Sequence, residues 1–262
     1  MISPLAHVEP GARLGQNVEI YPFAYVQSDV VIGDNCVVMP HASILNGTRI
    51  GNNNRIFQNV IIGAMPQATR FVEGTPVSVT IGDNNVIREN VVIAGGYQKD
   101  GGTCIGNDNR LMDKAHISHD VQIRNRCTIG ISSILSSRSE VDSNSIVANS
   151  VILQVDVRVG RYSLIESGCR VPKDIPPYII IGGNPALFHG VNEKILLRTG
   201  SDEKTIFNIA NAYRIVYMGN FSLEDAIHQI KDQIVKTEEI DYITNFIESS
   251  KHGIVRKMSS SE

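Results

Sequence analysis

The amino-acid sequence predicts an all-β solenoid plus α: a parallel β-helix of hexapeptide repeats over residues 1–191, followed by a small C-terminal helical domain over residues 192–262. Three observations carry this. Aliphatic residues recur at every sixth position, the place four after each is usually small or β-branched, and beyond Asp174-Ile-Pro-Pro-Tyr178 the six-residue period gives way to helical spacing.

The register begins at Ile2 and runs through Val8, Leu14 and Ile20 to Ile62 without exception. It resumes at Ile81, Ile87 and Ile93, skips once, and continues from Ile105 through Leu111, Ile117, Ile123, Ile129 and Leu135 to Val171. Ala24, Val30, Cys36, Ala42, Ala115, Val121, Cys127 and Cys169 occupy the place four after, so both positions point inward. Gly33, Gly51, Gly82, Gly106 and Gly130 follow the aliphatic residue with Asn or Asp close by, which is turn chemistry. One hexad is therefore a short strand plus a corner, and because it cannot bury its apolar side alone, copies must stack. A hairpin-built sandwich wants strands roughly 8 to 12 residues apart, which the fixed phase excludes. With three hexads per coil, Ile117, Leu135 and Leu153 should form one buried column at about 4.8 Å per step.

Two segments, 64–80 and 94–104, break the phase and are expected to leave the solenoid as loops, where binding groups tend to reside. Past the solenoid, residues 205–217 place Ile206, Ile209, Ala210, Tyr213, Val216 and Tyr217 on one face, with Ser201 as cap. Ser222-Leu-Glu-Asp225 opens a second helix to about Val235, and residues 241–249 read as a third. The tail 256–262 is expected to fray.

Composition narrows the function. The 24 Lys plus Arg against 27 Asp plus Glu give a net charge of -3 without any basic run, which disfavours nucleic-acid binding and a polybasic membrane contact. No apolar stretch reaches the roughly eighteen residues a span needs, and the start shows no signal-peptide pattern, so no membrane span and a cytoplasmic location are expected. Cys36, Cys104, Cys127 and Cys169 are far apart with no Cys-x-x-Cys pair, which argues for reduced thiols rather than a zinc site or disulfide framework.

With the inward places taken by core, chemistry must come from the other four places of each hexad. Ile117-Ser-His-Asp-Val-Gln122 sends His119 and Asp120 outward, and His116 joins them from the preceding hexad. An imidazole with an unperturbed pKa of about 6.5 suits general-base work, and an adjacent carboxylate favours its protonated form. Taken alone, a surface His beside an Asp is more often inert than catalytic. There is no Gly-x-Ser-x-Gly elbow, and three of the cysteines sit at inward places, so a covalent acyl-enzyme is not expected. Ser132, Ser133, Ser136 and Ser137 read as corner and stacking residues. Metal binding by His116 and His119 has no supporting ligands, and neither metal nor cofactor is expected.

The segment from Ile105 to Asp120 (Ile-Gly-Asn-Asp-Asn-Arg-Leu-Met-Asp-Lys-Ala-His-Ile-Ser-His-Asp), the ending Ile-Pro-Pro-Tyr-Ile179, Gly190-Val-Asn192 and the helical tail together resemble the UDP-N-acetylglucosamine O-acyltransferases of lipid A biosynthesis over nearly the whole chain. The resemblance implies a homotrimer of left-handed parallel β-helices with active sites between subunits. It implies transfer of a (3-hydroxy)acyl chain from acyl carrier protein to the 3-hydroxyl of a UDP-sugar, without cofactor. His119 would be the general base, Asp120 its assisting carboxylate, His116 a substrate contact, and Asn192 and Arg198 nucleotide contacts. The Ser137 amide falls where the family's oxyanion donor is a glycine.

Departures from the family fall around that base. Arg138 and Gln154 stand where it has two further histidines, and Gln67-Ala68-Thr69-Arg70 keeps the polar ends of the first-loop motif without its carboxylate. Ala94-Gly-Gly-Tyr97 replaces His-Arg-Gly-Thr, Lys194 replaces a carboxylate near the ribose, Thr199 an arginine, and Pro185 holds the position that helps measure acyl length. Two alternatives therefore accompany the acyltransferase: a diverged paralogue acylating another sugar nucleotide, or a non-catalytic trimeric scaffold that binds one. Coil stacking also puts Asp120, Arg138 and Asp156 in one column, where Arg138 is expected to draw on Asp120 and lower the pKa of His119.

Overall fold

The structure, a computed structural model, describes residues 1–98 and 101–257. Short strands, most of two residues, wind into a left-handed parallel β-helix whose three faces are sheets; among the described residues these hold nine, eight and eleven strands. Within the solenoid each strand pairs in parallel with the strand one coil away, so His116 lies beside Ile134 and Ile134 beside Ile152, while Ile117, Leu135 and Leu153 form the expected buried column.

Corners explain the Asn and Asp. Asn17, Asn35, Asn53, Asn84 and Asn144 turn the chain with φ between +56° and +62°, a left-handed conformation that Asn and Asp tolerate better than most residues. Asp120, Arg138 and Asp156 hold the equivalent place at another corner, with φ of +62°, +59° and +63°. Inside, three buried asparagines at the four-after place form a ladder: the Asn85 and Asn109 amides donate to the side-chain oxygens of Asn54 and Asn85, each at 2.9 Å. That ladder satisfies polar groups the core would otherwise strand.

Both interruptions are shorter than the broken phase suggests. The first leaves after strand Ile61–Ala64 and rejoins at Val79–Ile81; the second leaves after Val92–Ala94 and rejoins at Thr103–Ile105. Ser78 and Gly96 exchange backbone hydrogen bonds of 2.8 and 3.0 Å, which joins the two loops.

Beyond the solenoid a hairpin, Ile179–Gly182 with Leu187–Val191, extends one sheet. Among the described residues four helices follow: α1 Glu193–Arg198, α2 Glu203–Met218, α3 Leu223–Gln233 and α4 Glu238–Glu248. The short α1 escaped the periodicity because it spans under two turns. Asp202, not Ser201, caps α2 by accepting from the Thr205 amide at 2.7 Å, and α4 starts earlier than read because Thr237 caps it. Ile254 and Val255 are buried, and Arg256–Lys257, the start of the tail expected to fray, pairs with Leu187 and Phe188. Residues 258–262 lie outside the described residues. The Tyr213 hydroxyl donates to the Pro177 carbonyl at 2.5 Å and Arg158 stacks over Phe246 at 4.4 Å, so the helices share one core with the solenoid. No described helix is long and apolar enough to cross a membrane.

Candidate active site

The corner after strand His116–Ile117 presents His119 and Asp120 away from the solenoid core, as their hexad places require. They point outward as expected, yet are only 5% and 7% exposed. The second loop folds back over them. Its Tyr97 ring lies 4.9 Å from the imidazole, Phe71 of the first loop packs on Tyr97 at 5.2 Å, and the Gln98 amide donates to Asp120 Oδ1 at 3.1 Å. Beneath, the Asp120 amide donates to Thr103 Oγ1 at 2.9 Å, and that hydroxyl donates to the Ala94 carbonyl. Gly96 is required here, because a Cβ would sit 2.4 Å from Asp120 Oδ1 and 2.5 Å from the Gly102 backbone.

His119 Nδ1 lies 2.8 Å from Asp120 Oδ2, and its Nε2 lies 2.7 Å from Ser137 Oγ. The carboxylate fixes the tautomer that carries its proton on Nδ1 and leaves the Nε2 lone pair available. Ser137 comes from the next coil. It is a corner residue, as read, and its hydroxyl faces the imidazole, while Ser133 turns inward and donates to the Ala148 carbonyl. Among the described residues the Ser137 N–H has no hydrogen-bond acceptor.

Arg138 does not reach for Asp120. Its guanidinium grips Asp156 with two bonds of 2.6 and 2.8 Å, since that carboxylate is free to accept both while Asp120 is already held by His119 and Gln98. The expected pull of Arg138 on Asp120 is thus not made by direct contact. Gln154, with its amide oxygen toward Arg170, accepts from that guanidinium at 2.9 and 3.1 Å. His116 is half-buried, and burial moves its pKa below the ordinary value, favouring a neutral ring. Asn192 is buried with its amide donating to the Tyr162 carbonyl at 3.0 Å; Arg198, in the last turn of α1, and Gln67 and Arg70, in the first loop, are exposed. Among the described residues none of these four bonds to His119 or Asp120.

An open cleft of about 970 Å³ passes Gln98, Asp120, Arg138, Asp156 and Asp174, with Ser249, Lys251 and His252 also lining it. Burial pushes the Cys127 thiol up to about 12 and raises that of Cys36, so neither serves as a nucleophile. Tyr97, Phe71, Gln98 and Thr103 went unread in the sequence. Their signal was the loss of the six-residue period in both loops, with the Ala94-Gly-Gly-Tyr97 departure in the second.

Comparison with known proteins places this geometry. Residues 174–255 match the second domain of UDP-N-acetylglucosamine O-acyltransferases, and residues 11–46 and 29–64 match bacterial transferase hexapeptide repeats. A UDP-N-acetylglucosamine acyltransferase from Bacteroides fragilis is 45% identical over 98% of this chain and 100% of that one, with a TM-score of 0.96. One from Francisella novicida is 32% identical over 100% and 96%, TM-score 0.96, and one from Campylobacter jejuni 30% identical over 98% and 100%, TM-score 0.90. With likeness of that degree running end to end, the chain belongs to the UDP-N-acetylglucosamine acyltransferase family.

Proposed function

We propose that the chain moves a (3-hydroxy)acyl group from the thioester of acyl carrier protein to the 3-hydroxyl of UDP-N-acetylglucosamine, the first step of lipid A biosynthesis, in the cytoplasm and without a cofactor. The observation that carries this is the covered His119–Asp120 pair, its Nδ1 held at 2.8 Å and its Nε2 directed at a hydroxyl. In this reading Nε2 takes the proton of an attacking hydroxyl, Asp120 stabilises the imidazolium, and the proton passes to the leaving thiolate. The Ser137 amide faces the developing oxyanion. His116, Gln67, Arg70, Gln154, Asn192 and Arg198 would line the substrates, with Arg70 and Arg198 supplying charge for phosphate. Arg138 would hold the corner through Asp156.

The assembly we infer is a homotrimer with sites between copies. Supporting it, Ile134 and Ile152 stand exposed on the same outward ladder as His116, an apolar stripe that a neighbouring copy would cover.

One observation favours another UDP-sugar as acceptor: the Thr199 hydroxyl is spent on the Ile195 and Leu196 carbonyls of its own helix, leaving no donor where the family resemblance implies an arginine. A coupled assay of 3-hydroxyacyl carrier protein with a panel of UDP-sugars tests both. Acylated UDP-N-acetylglucosamine is expected; acylation of a different nucleotide alone would mark a diverged paralogue, and binding without transfer a scaffold.

A further inference from the structure

We propose that the helical domain carries a second ligand site, a pocket for a small carboxylate with a short aliphatic stem, built on the Tyr217 hydroxyl and lined by three cations. The cavity measures about 300 Å³, at the small end of ligand sites, and lies between the end of α2 and the terminal segment 253–257. Among the described residues it shares no lining side chain with the cleft that passes Asp120, so the site stands apart from the transfer proposed above.

Two tyrosines one turn apart on α2 are both buried, and they differ in what their hydroxyls meet. The Tyr213 hydroxyl donates to the Pro177 carbonyl at 2.5 Å, whereas the Tyr217 hydroxyl has no partner among the described residues. An unpaired buried hydroxyl costs free energy, which an acceptor oxygen brought by a ligand restores. Burial raises the Tyr217 pKa, so the phenol keeps its proton and meets that oxygen as a donor.

The surrounding charge says that the oxygen is anionic. Among the described residues Lys173, Arg256 and Lys257 line the same cavity as Tyr217, no carboxylate does, and none of the three cations is paired with one. Strand pairing sets Lys257 beside Phe188, whose ring stacks on Tyr217 at 4.0 Å, so Lys257 and the phenol share one side of the sheet. Lys173 Nζ lies over Gly253, 3.7 Å from where a Cβ would stand. Leu223 and Val255 complete the wall with apolar surface. A carboxylate on a hydrocarbon stem answers all of these at once: charge-assisted bonds to the cations and the phenol, and an apolar contact for the stem. An inorganic anion leaves the apolar wall in water, and a neutral alcohol leaves the cations unmatched. By joining Tyr217 of α2 to the strand Arg256–Lys257, the ligand ties the terminal segment to the helices and stabilises the folded chain by mass action.

The test titrates hexanoate into the full chain by calorimetry at constant ionic strength. Two comparators run beside it: 1-hexanol, which keeps the stem without the charge, and inorganic phosphate, which keeps the charge without the stem. Hexanoate should saturate about one site per chain, bind about fivefold or more tighter than either comparator, and raise the melting temperature. Tyr217→Phe keeps the ring on Phe188 and removes only the hydroxyl. It should weaken hexanoate about fivefold while leaving the melting temperature of the free chain no lower, since no bond within the chain is lost. Arg256→Gln with Lys257→Gln should weaken hexanoate and leave 1-hexanol unchanged. Absence of saturable hexanoate binding overturns the site, and equal binding of phosphate or of 1-hexanol overturns the carboxylate assignment. A Tyr217→Phe chain that binds hexanoate normally, or that melts lower on its own, removes the hydroxyl from the site and overturns the proposal as well.

Discussion

His119 works through its two neighbours, so substitutions on either side of the ring should separate their roles. His119→Ala should lower turnover on the order of 10²- to 10⁴-fold with the solenoid intact, because the ring packs on loop Tyr97 rather than in the coil core. Asp120→Asn should approach that loss by freeing the ring to adopt the other tautomer. Near-normal turnover in either, measured with 3-hydroxyacyl carrier protein, would remove His119 as base. Arg138 supports a smaller, pH-dependent effect: its guanidinium holds the Asp156 carboxyl below the usual range. A depressed folded pKa stabilises the protein above the unfolded value of about 3.9 and loses that contribution as pH falls through the folded pKa. With the side chains 37% and 39% exposed, screening limits it to a few tenths of a kcal/mol up to about 1. Asp156→Asn should therefore lower the melting temperature slightly at pH 7 and not near pH 2; an equal shift at both would assign the effect to something other than the ion pair. The hexad phase made His119, Asp120 and their column legible, because it says which places leave the core. It could not reveal that Arg138 turns to Asp156 or that Ser137 turns to His119, since those choices among partners one coil apart are made by rotamers and by which acceptors are already taken.

The loops are the elements that convert a surface pair into a covered one. Gly96→Ala should drive the second loop off Asp120, because the clash is with backbone as well as with the carboxylate. Turnover should fall about tenfold or more, with the main melting transition unmoved and faster chemical modification of His119; unchanged activity would show that the cover is dispensable. Sequence marked both loops through the lost period but gave no account of what they do, since a loop's path is set by contacts such as Phe71 on Tyr97 and Ser78 with Gly96. The helices show the same division. α2 followed from apolar spacing and α3 from spacing and its Ser222 cap, whereas α1 and the final strand Arg256–Lys257 depend on tertiary pairing that no local pattern carries.

At the scale of the whole molecule, regularity gives the solenoid three similar faces, and their outward ladders distinguish them. On the face bearing His116 the ladder runs through Ile134 and Ile152, 38% and 40% exposed, before ending at Arg170. Side chains of this kind gain about 1.5 to 3 kcal/mol each when taken from full exposure to full burial, so leaving their remaining apolar surface in water on the ladder of His116 is unfavourable unless another copy covers it. Light scattering should accordingly give a mass near three times the 28.7 kDa chain. The double variant Ile134→Glu with Ile152→Glu should fall to the single-chain mass, because it places charges without partners in the contact, while circular dichroism retains the β-helix signal. Turnover should fall with the assembly, since a site between copies loses one wall on dissociation. A parent chain that is monomeric at assay concentration and fully active would place the whole site within one solenoid and sink the shared-site reading, and an active, still trimeric double variant would move the contact to another face.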